Sequence, residues 1–261
     1  MTATGSSGRP ASPVARGRAG LRRPIAWYLR QLSRLMNVLT DEELERLIPL
    51  LSERKFAPRQ VLFSAGDPPE RVYLLLKGRV KVYQVADNGK EIIVDIVGQG
   101  GVVGDMAIVE GGERVTNAQA LDETVALSIS WENFQHLLMS SPRLAFAMAE
   151  LMARRLSGMQ RSLLSMASKP VSARLAEALL DRAEGDHVHL GLTHQELAQT
   201  IATSRETVTA LLSRFASMGA IAPASGGYRI VDEGLLRAIA HGRVPVSPRH
   251  PAGDQTTAAA T

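Results

Sequence analysis

The side chains best equipped for chemistry fall in two short runs, Thr193-His194-Gln195-Glu196 and Ser204-Arg205-Glu206-Thr207-Val208, with Thr209 and Ser213 just beyond. Arginine carries a planar fork that fits guanine O6 and N7, glutamate accepts from cytosine N4, and serine or threonine hydroxyls can hold a phosphate. These are recognition contacts, in which no covalent bond forms or breaks. A third run, His187-Val188-His189 beside Asp186, puts two ring nitrogens close in sequence. No third ligand accompanies them, so a polar loop is expected there and no metal.

A reading surface needs elements that hold it. Thr193 and Glu196 have the spacing of a capping box, in which the Thr hydroxyl accepts from the Glu196 amide and the carboxylate reaches back to the Thr193 amide. The helix that starts there buries Leu197 and Ile201. Ser204 can cap a second helix with Val208, Leu211, Leu212 and Phe215 inward, which leaves Ser204, Arg205, Glu206, Thr209 and Ser213 outward. Two short helices joined by Ala202-Thr203 form a helix-turn-helix, whose second member meets base edges in the major groove with its first turn. An exposed Arg-Glu pair is in general only a solvated helix face; its position in this motif is what favours base reading. Ala222 to Val231, with Ser225-Gly226-Gly227 between apolar runs, reads as a β-hairpin wing. The expected DNA contacts are Thr193, His194, Gln195, Ser204, Arg205, Glu206, Thr207, Thr209 and Ser213.

The 261 residues leave room for about two domains. Residues 1–24 are Gly, Ser, Pro, Ala and Arg with almost no large apolar side chain, the composition of a disordered tail. That Arg-rich, acid-free stretch also fits an organellar transit peptide, against which the bacterial type of the remainder argues. Residues 245–261, with Pro245, Pro248 and Pro251, read as a second tail. Residues 25–139 are expected to form a helical lead-in and an antiparallel β-roll. In the lead-in, Thr40 or Asp41 caps a helix with Leu44, Leu47, Ile48 and Leu51 on one face. From Phe56 to about Ser130, short β-branched runs are broken by glycines, and Asp87-Asn88-Gly89-Lys90 is a hairpin turn.

Residues 140–169 read as one long helix, opened by Pro142 and stopped by Pro170. Along it Ala145, Ala149, Met152, Leu156, Met159, Leu163 and Met166 alternate at spacings of four and three. Such a 3.5-residue repeat predicts a coiled-coil seam between two copies, with an internal core stripe as the alternative. Residues 170–244 complete an α+β chain as the winged helix-turn-helix domain.

The 30 Lys+Arg exceed the 26 Asp+Glu, a net charge of +4. The excess lies in residues 1–30, which hold Arg9, Arg16, Arg18, Arg22, Arg23 and Arg30 and no acid, whereas residues 169–245 carry eight of each sign. Local placement rather than a broad basic field must therefore supply any contacts to DNA. With no cysteine there is no disulfide framework, thiolate-bound zinc or iron-sulfur cluster, and no thiol nucleophile. Apolar runs such as Val72 to Leu76 fall far short of the ~20 residues that span a bilayer, and no signal peptide opens the chain, so a soluble cytoplasmic protein is expected. A GxxxxGK[ST] loop is absent, Gly98 to Gly104 does not fit a dinucleotide fingerprint, and no enzyme is expected.

The order of β-roll, long helix and winged helix-turn-helix over about residues 30–235 resembles the cAMP receptor protein/fumarate-nitrate reductase regulator (CRP/FNR) family. Gly104-Asp105-Met106-Ala107 with Gly111-Gly112-Glu113-Arg114, Met152-Ala153-Arg154-Arg155-Leu156, and Thr193 to Val208 carry the resemblance. It implies a bacterial, homodimeric transcription regulator that binds a palindromic DNA operator and contacts RNA polymerase. It also implies an effector site at Gly104, Asp105, Arg114, Val115, Met159 and Gln160. In cAMP-binding members Arg114 would pair with the cyclic phosphate, the place of Asp105 holds a ribose-binding Glu, that of Val115 a Ser, and that of Met159-Gln160 a Thr-Ser pair. Replacing such hydrogen-bonding groups with Val and Met removes partners a desolvated nucleotide needs. A different ligand, or none, is expected ahead of a cAMP-responsive activator. Arg114 is as readily an internal salt bridge or a surface charge.

Haem is not expected, since residues 52–130 hold no His or Cys ligand. Arg205 and Glu206 match the family's base-reading pair, Ala210 stands in place of an activator's second Arg, and Ala202 replaces the turn glycine. A TGTGA-like half-site, relaxed at an outer position, follows. A cyclic-nucleotide-sensing module for a protein partner is the alternative of another class, and Thr193 to Phe215 discriminates against it.

Overall fold

The computed structural model describes residues 22–108 and 113–247. The chain folds as two compact units. The first comprises residues up to Val85 and from Val94 to Arg155, and the second residues 86–93 and those from Leu156 onward.

Helices α1 (Arg22–Leu32), α2 (Arg34–Asn37) and α3 (Asp41–Leu47) precede eight strands among the described residues, all in the first unit except that the fifth begins within residues 86–93 of the second. Thr40 caps α3, accepting from the Glu43 amide at 3.2 Å while its own amide donates to the Glu43 carboxylate at 2.7 Å. The strands are β1 (Ser52–Phe56), β2 (Val61–Phe63), β3 (Arg71–Lys77), β4 (Val80–Val85), β5 (Glu91–Val97), β6 (Val102–Val103), β7 (Asn117–Ala120) and β8 (Thr124–Ser130). They form two four-stranded sheets, ordered β1-β8-β3-β6 and β2-β7-β4-β5. The expected hairpin turn at Asp87 to Lys90 joins β4 to β5, with Gly89 at φ +77°.

Strand β3 shows how the layers stack. Its alternate residues Tyr73 and Leu75 join the core inside the roll with Phe63, Val80, Val97, Val103, Ala118 and Ala126. Val72, Leu74 and Leu76 instead face the helices, against Leu29, Leu44, Leu47, Phe134, Leu144 and Met148. A strand buried on both faces reads as a continuous apolar run, which is why Val72 to Leu76 is one.

Two helices follow, α4 (Trp131–Ser140) and α5 (Pro142–Ser168). Leu144 and Met148 of α5 are buried in the helix-side core of the roll, and Leu151 and Met152 pack against it. The long helix therefore spends its first turns on the roll. Met152, expected in the seam, belongs in part to that internal core.

The second unit holds α6 (Val171–Leu180), β9 (Ala183–Glu184), β10 (His187–His189), α7 (His194–Thr200), α8 (Arg205–Ser217), β11 (Ile221–Ala224), β12 (Gly227–Ile230) and α9 (Glu233–Ala240). One core joins Leu175, Leu179, Leu197, Ile201, Leu211, Phe215, Ile221, Leu236 and Ile239. The four strands form a sheet ordered β11-β12-β10-β9.

Several expectations need adjusting. His187 to His189 is a strand, paired with β12 on one side and β9 on the other, rather than a loop. Val246, placed in the C-terminal tail, is buried in the core of the second unit; residues 248–261 lie outside the described residues. Helix α1 takes in Arg22 to Pro24, the end of the expected N-terminal tail, whose residues 1–21 lie outside the described residues, as do Gly111 and Gly112.

Candidate nucleic-acid interface and effector-type site

Local hydrogen bonds cap both helices of the helix-turn-helix. Thr193 caps α7 in a complete capping box with Glu196. The chain leaves α7 through Ala202, which stands at φ +52°, a left-handed conformation that costs an alanine roughly 1–2 kcal/mol. Ser204 then caps α8 by accepting from the Thr207 amide at 3.2 Å. Both hydroxyls are thus occupied as caps, so Thr193 and Ser204 orient the helices before they touch anything else.

Helix α8 buries Val208, Leu211, Leu212 and Phe215, and its opposite face exposes Ser204, Arg205, Glu206, Thr209 and Ser213. Thr207 is half-buried beside the cap, and Thr193 and Gln195 of the α7 entry are exposed. No ion pair engages Arg205 among the described residues. The Glu206 carboxyl is held below its ordinary value of 4.5, first by its own backbone amide and then by hydrogen bonding with Ser204. It is therefore an ionised, acceptor-only group at neutral pH. His194 links the two helices: its Nδ1 lies 2.9 Å from Thr209 Oγ1, and that hydroxyl donates to the Arg205 carbonyl at 3.0 Å.

The wing is the antiparallel pair β11–β12, turning at Ser225-Gly226 with Ala224 opposite Gly227. Gly227 cannot be replaced without moving backbone, because a Cβ there would lie 2.1 Å from the Val188 carbonyl oxygen.

In the roll, Gly104, Asp105 and Arg114 come together. Gly104 has φ +88°, and a Cβ on it would meet Arg114 Nη1 at 2.9 Å. Arg114 is buried, with 6% of its surface exposed. It donates from Nη1 to the Gly104 carbonyl at 2.6 Å and from Nη2 to the Arg71 carbonyl, and its guanidinium lies 4.2 Å from the centre of the Phe63 ring. Its Nε is buried without a hydrogen-bond partner. Arg114 is therefore not a surface charge, and among the described residues no carboxylate lies within ion-pair distance of it, although Asp105 and Asp67 act on it electrostatically.

Asp105 is 1% exposed and is held by Arg155, whose Nη1 donates to both carboxylate oxygens at 3.0 and 2.7 Å. The same guanidinium donates to the Val102 carbonyl at 2.7 Å and lies 3.4 Å from an Asp95 oxygen. Burial pushes the Asp105 carboxyl above its ordinary 3.8, against the opposing pull of Arg155. Asp105 is thus engaged by α5. Val115 is partly exposed, and Met159 and Gln160 lie past Arg155 on α5, both exposed and both in the second unit.

Sequence reasoning missed Arg155 as a site residue. The signal was present in its spacing, for Leu144, Met148, Leu151 and Arg155 follow one face of α5 at intervals of four, three and four.

A cyclic-nucleotide-binding type of roll followed by a winged helix-turn-helix defines a DNA-binding transcription regulator, and comparison with known proteins agrees. Residues 53–141 match the Cyclic nucleotide-binding domain, and residues 173–239 match the Crp-like helix-turn-helix domain. A Cyclic AMP receptor protein of Thermus thermophilus is 29% identical over 80% of this chain and 98% of its own length. The Global nitrogen regulator of Synechococcus elongatus is 32% identical over 63% of this chain and 78% of its own. Among solved structures, the c-di-GMP responsive global regulator CLP of Xanthomonas campestris superposes with a TM-score of 0.66 at 23% identity, covering 74% of this chain and all of that one, which shows the shared fold.

The chain belongs to the CRP/FNR family of transcription regulators. It is a regulator and not an enzyme, and no helix among its described residues is long and apolar enough to cross a membrane.

Proposed function

We propose that the protein acts as a homodimer in the bacterial cytoplasm, reads a palindromic operator with Arg205 and Glu206, and engages RNA polymerase, with a roll that senses an effector other than cAMP or acts without one. The observation that carries the reading is α8 itself, with four side chains sealed in the core and a polar face of Arg205, Glu206, Thr209 and Ser213 opposite. Two such helices enter successive major grooves when their dimer centres them ~34–36 Å apart. The seam of Ala145, Ala149, Leu156, Met159 and Leu163 is exposed on the single chain, as a surface awaiting a second copy would be.

Independence from cAMP is supported by Asp105, whose oxygens are already occupied by Arg155. A second reading, a cAMP-responsive activator, draws on Arg114, a buried guanidinium with an unsatisfied Nε and no carboxylate partner. The name of the Thermus relative points the same way. Titrating a labelled duplex with two inverted TGTGA half-sites, with and without cAMP, separates the two; a large cAMP-dependent gain in affinity selects the second. In the same assay Arg205→Ala is expected to cost about 1–3 kcal/mol against the preferred site. Equal loss on scrambled DNA would remove Arg205 from base reading.

A further inference from the structure

The reading helix α8 is only as well placed as the joint that carries its domain. Helix α5 ends at Ser168 and α6 begins at Val171, with Pro170 at the cap position of α6. Proline has no amide hydrogen and no side-chain acceptor for the first amides of a helix, so it does little to fix the angle at which α6 departs. The Lys169 amide donates back to the Ser165 carbonyl at 2.9 Å, and the Arg174 amide to the Pro170 carbonyl at 3.1 Å. Each of these bonds stays on its own side of the joint.

Side chains cross it instead. The Ser165 hydroxyl donates to Glu177 Oε2 at 3.1 Å, and the Lys169 ammonium donates to Glu177 Oε1. Arg174 reaches back the other way, its Nη1 donating to the Met166 carbonyl at 3.2 Å. Links running in both directions oppose twisting as well as bending. Lys169 and Glu177 keep about a third of their side-chain surface exposed, so the pair adds little to stability, and what it sets is direction. That direction reaches the DNA-reading face, because Leu175, Ala176 and Leu179 of α6 are buried in the same core as Leu211 and Phe215 of α8. Turning α6 turns the reading helix with it. Met166 is the last member of the α5 repeat, so the links join the end of the seam to the start of the reading domain, all within the second unit.

We propose that Glu177, with Ser165, Lys169 and Arg174, is a positioning clamp that sets the angle between the seam helix and the reading domain and thereby selects the spacing between operator half-sites. The proposal rests on the reading of the protein as a homodimer on a palindromic operator. Two reading helices held at one separation and phase fit one arrangement of half-sites. Loosening the joint lowers the effective concentration of the second helix once the first has landed. Affinity falls at the matched spacing, whereas a single half-site is bound as before.

The test is fluorescence anisotropy with the purified full-length chain at fixed salt. The duplexes carry two inverted TGTGA half-sites at a series of spacings, or one half-site alone. The wild type should prefer one spacing. Glu177→Ala should weaken binding at that spacing by about fivefold and flatten the series, with the single half-site unchanged. The exchange Lys169→Glu with Glu177→Lys re-forms the pair in the reverse sense and should restore the preference. A Glu177→Ala variant with the wild-type spacing profile overturns the proposal. So does an equal loss on the single half-site, which marks damage to the reading domain rather than to its placement. Amide hydrogen exchange on the free protein tests the clamp without DNA: the Lys169 and Arg174 amides should exchange about fivefold faster in Glu177→Ala, with those of α8 unchanged. Unchanged protection at the joint overturns the clamp as well. A wild type with no preferred spacing would instead defeat the palindrome reading, while the exchange measurement still decides the clamp.

Discussion

Asp105 and Arg155 form a buried ion pair in the roll that is costly to separate. Removing one partner of a buried pair leaves the other charge in a poor solvent, a penalty of about 3–5 kcal/mol. The sign with pH follows from the Asp105 carboxyl, whose value in the folded state is raised by burial. A carboxyl raised in the folded state favours folding below its ordinary value and withdraws that support as pH rises through the raised one. Arg155→Met removes the cation that opposes the rise. The destabilisation should therefore grow from about pH 5 to pH 7.5 when followed by urea unfolding. A penalty that is flat or shrinks over that window would mean Arg155 is not what holds the carboxylate. The pair also marks a limit of sequence reading, since its members belong to different elements and nothing local to Asp105 announces its partner. Arg205 and Glu206 were legible because a capping serine three residues before Thr207 fixes where the helix begins and hence which side chains point out.

At the scale of elements, caps and turns were the most readable features because their partners lie within a few residues. The box Thr193/Glu196 is formed as its spacing predicts, and of the two candidate caps Thr40 and Asp41 it is Thr40 that caps α3, in a box with Glu43. The turn between α7 and α8 keeps its left-handed residue although that residue is Ala202. Ala202→Gly should therefore stabilise the second unit by about 1 kcal/mol, read as a higher denaturation midpoint, through relief of the positive φ. A lower midpoint would mean that the alanine methyl contributes packing worth more than the strain. Strand β10 was not legible, because three residues become a strand only when β9 and β12 flank them.

The heptad along α5 was legible as a repeat, yet periodicity could not say which turns serve the roll and which are free. Leu163 is 66% exposed in the single chain. Leu163→Asp should leave its far-UV circular dichroism unchanged while shifting sedimentation from dimer to monomer. A dimer that survives the substitution places the seam elsewhere.

For the whole molecule, the fold class could be read from the sequence because each level agreed with the next: glycine-broken strands, a proline-bounded helix, and a capped helix pair with a wing. Of the effector-type site, Gly104, Asp105 and Arg114 were named through the family resemblance, but not the long-range contacts that hold them, such as Arg114 to the Arg71 carbonyl and Arg155 to Asp105. Charge acts at this scale too. Deleting residues 1–21 removes Arg9, Arg16 and Arg18, and should lower the slope of log affinity against log salt by about 0.9 for each arginine that meets a phosphate. An unchanged slope would make that segment a passive extension.

The sheet of the second unit sets the order of events during synthesis. Strands β9 and β10 come before the helix-turn-helix and β12 after it, with Val188 facing Tyr228 across the pair. A nascent chain on the ribosome can form α7 and α8 as local turns, but it cannot close the sheet behind them until β12 has emerged. The DNA-reading module therefore acquires its fixed shape only once the wing has emerged, and a truncated chain that stops short of β12 has both helices but lacks the sheet that closes behind them.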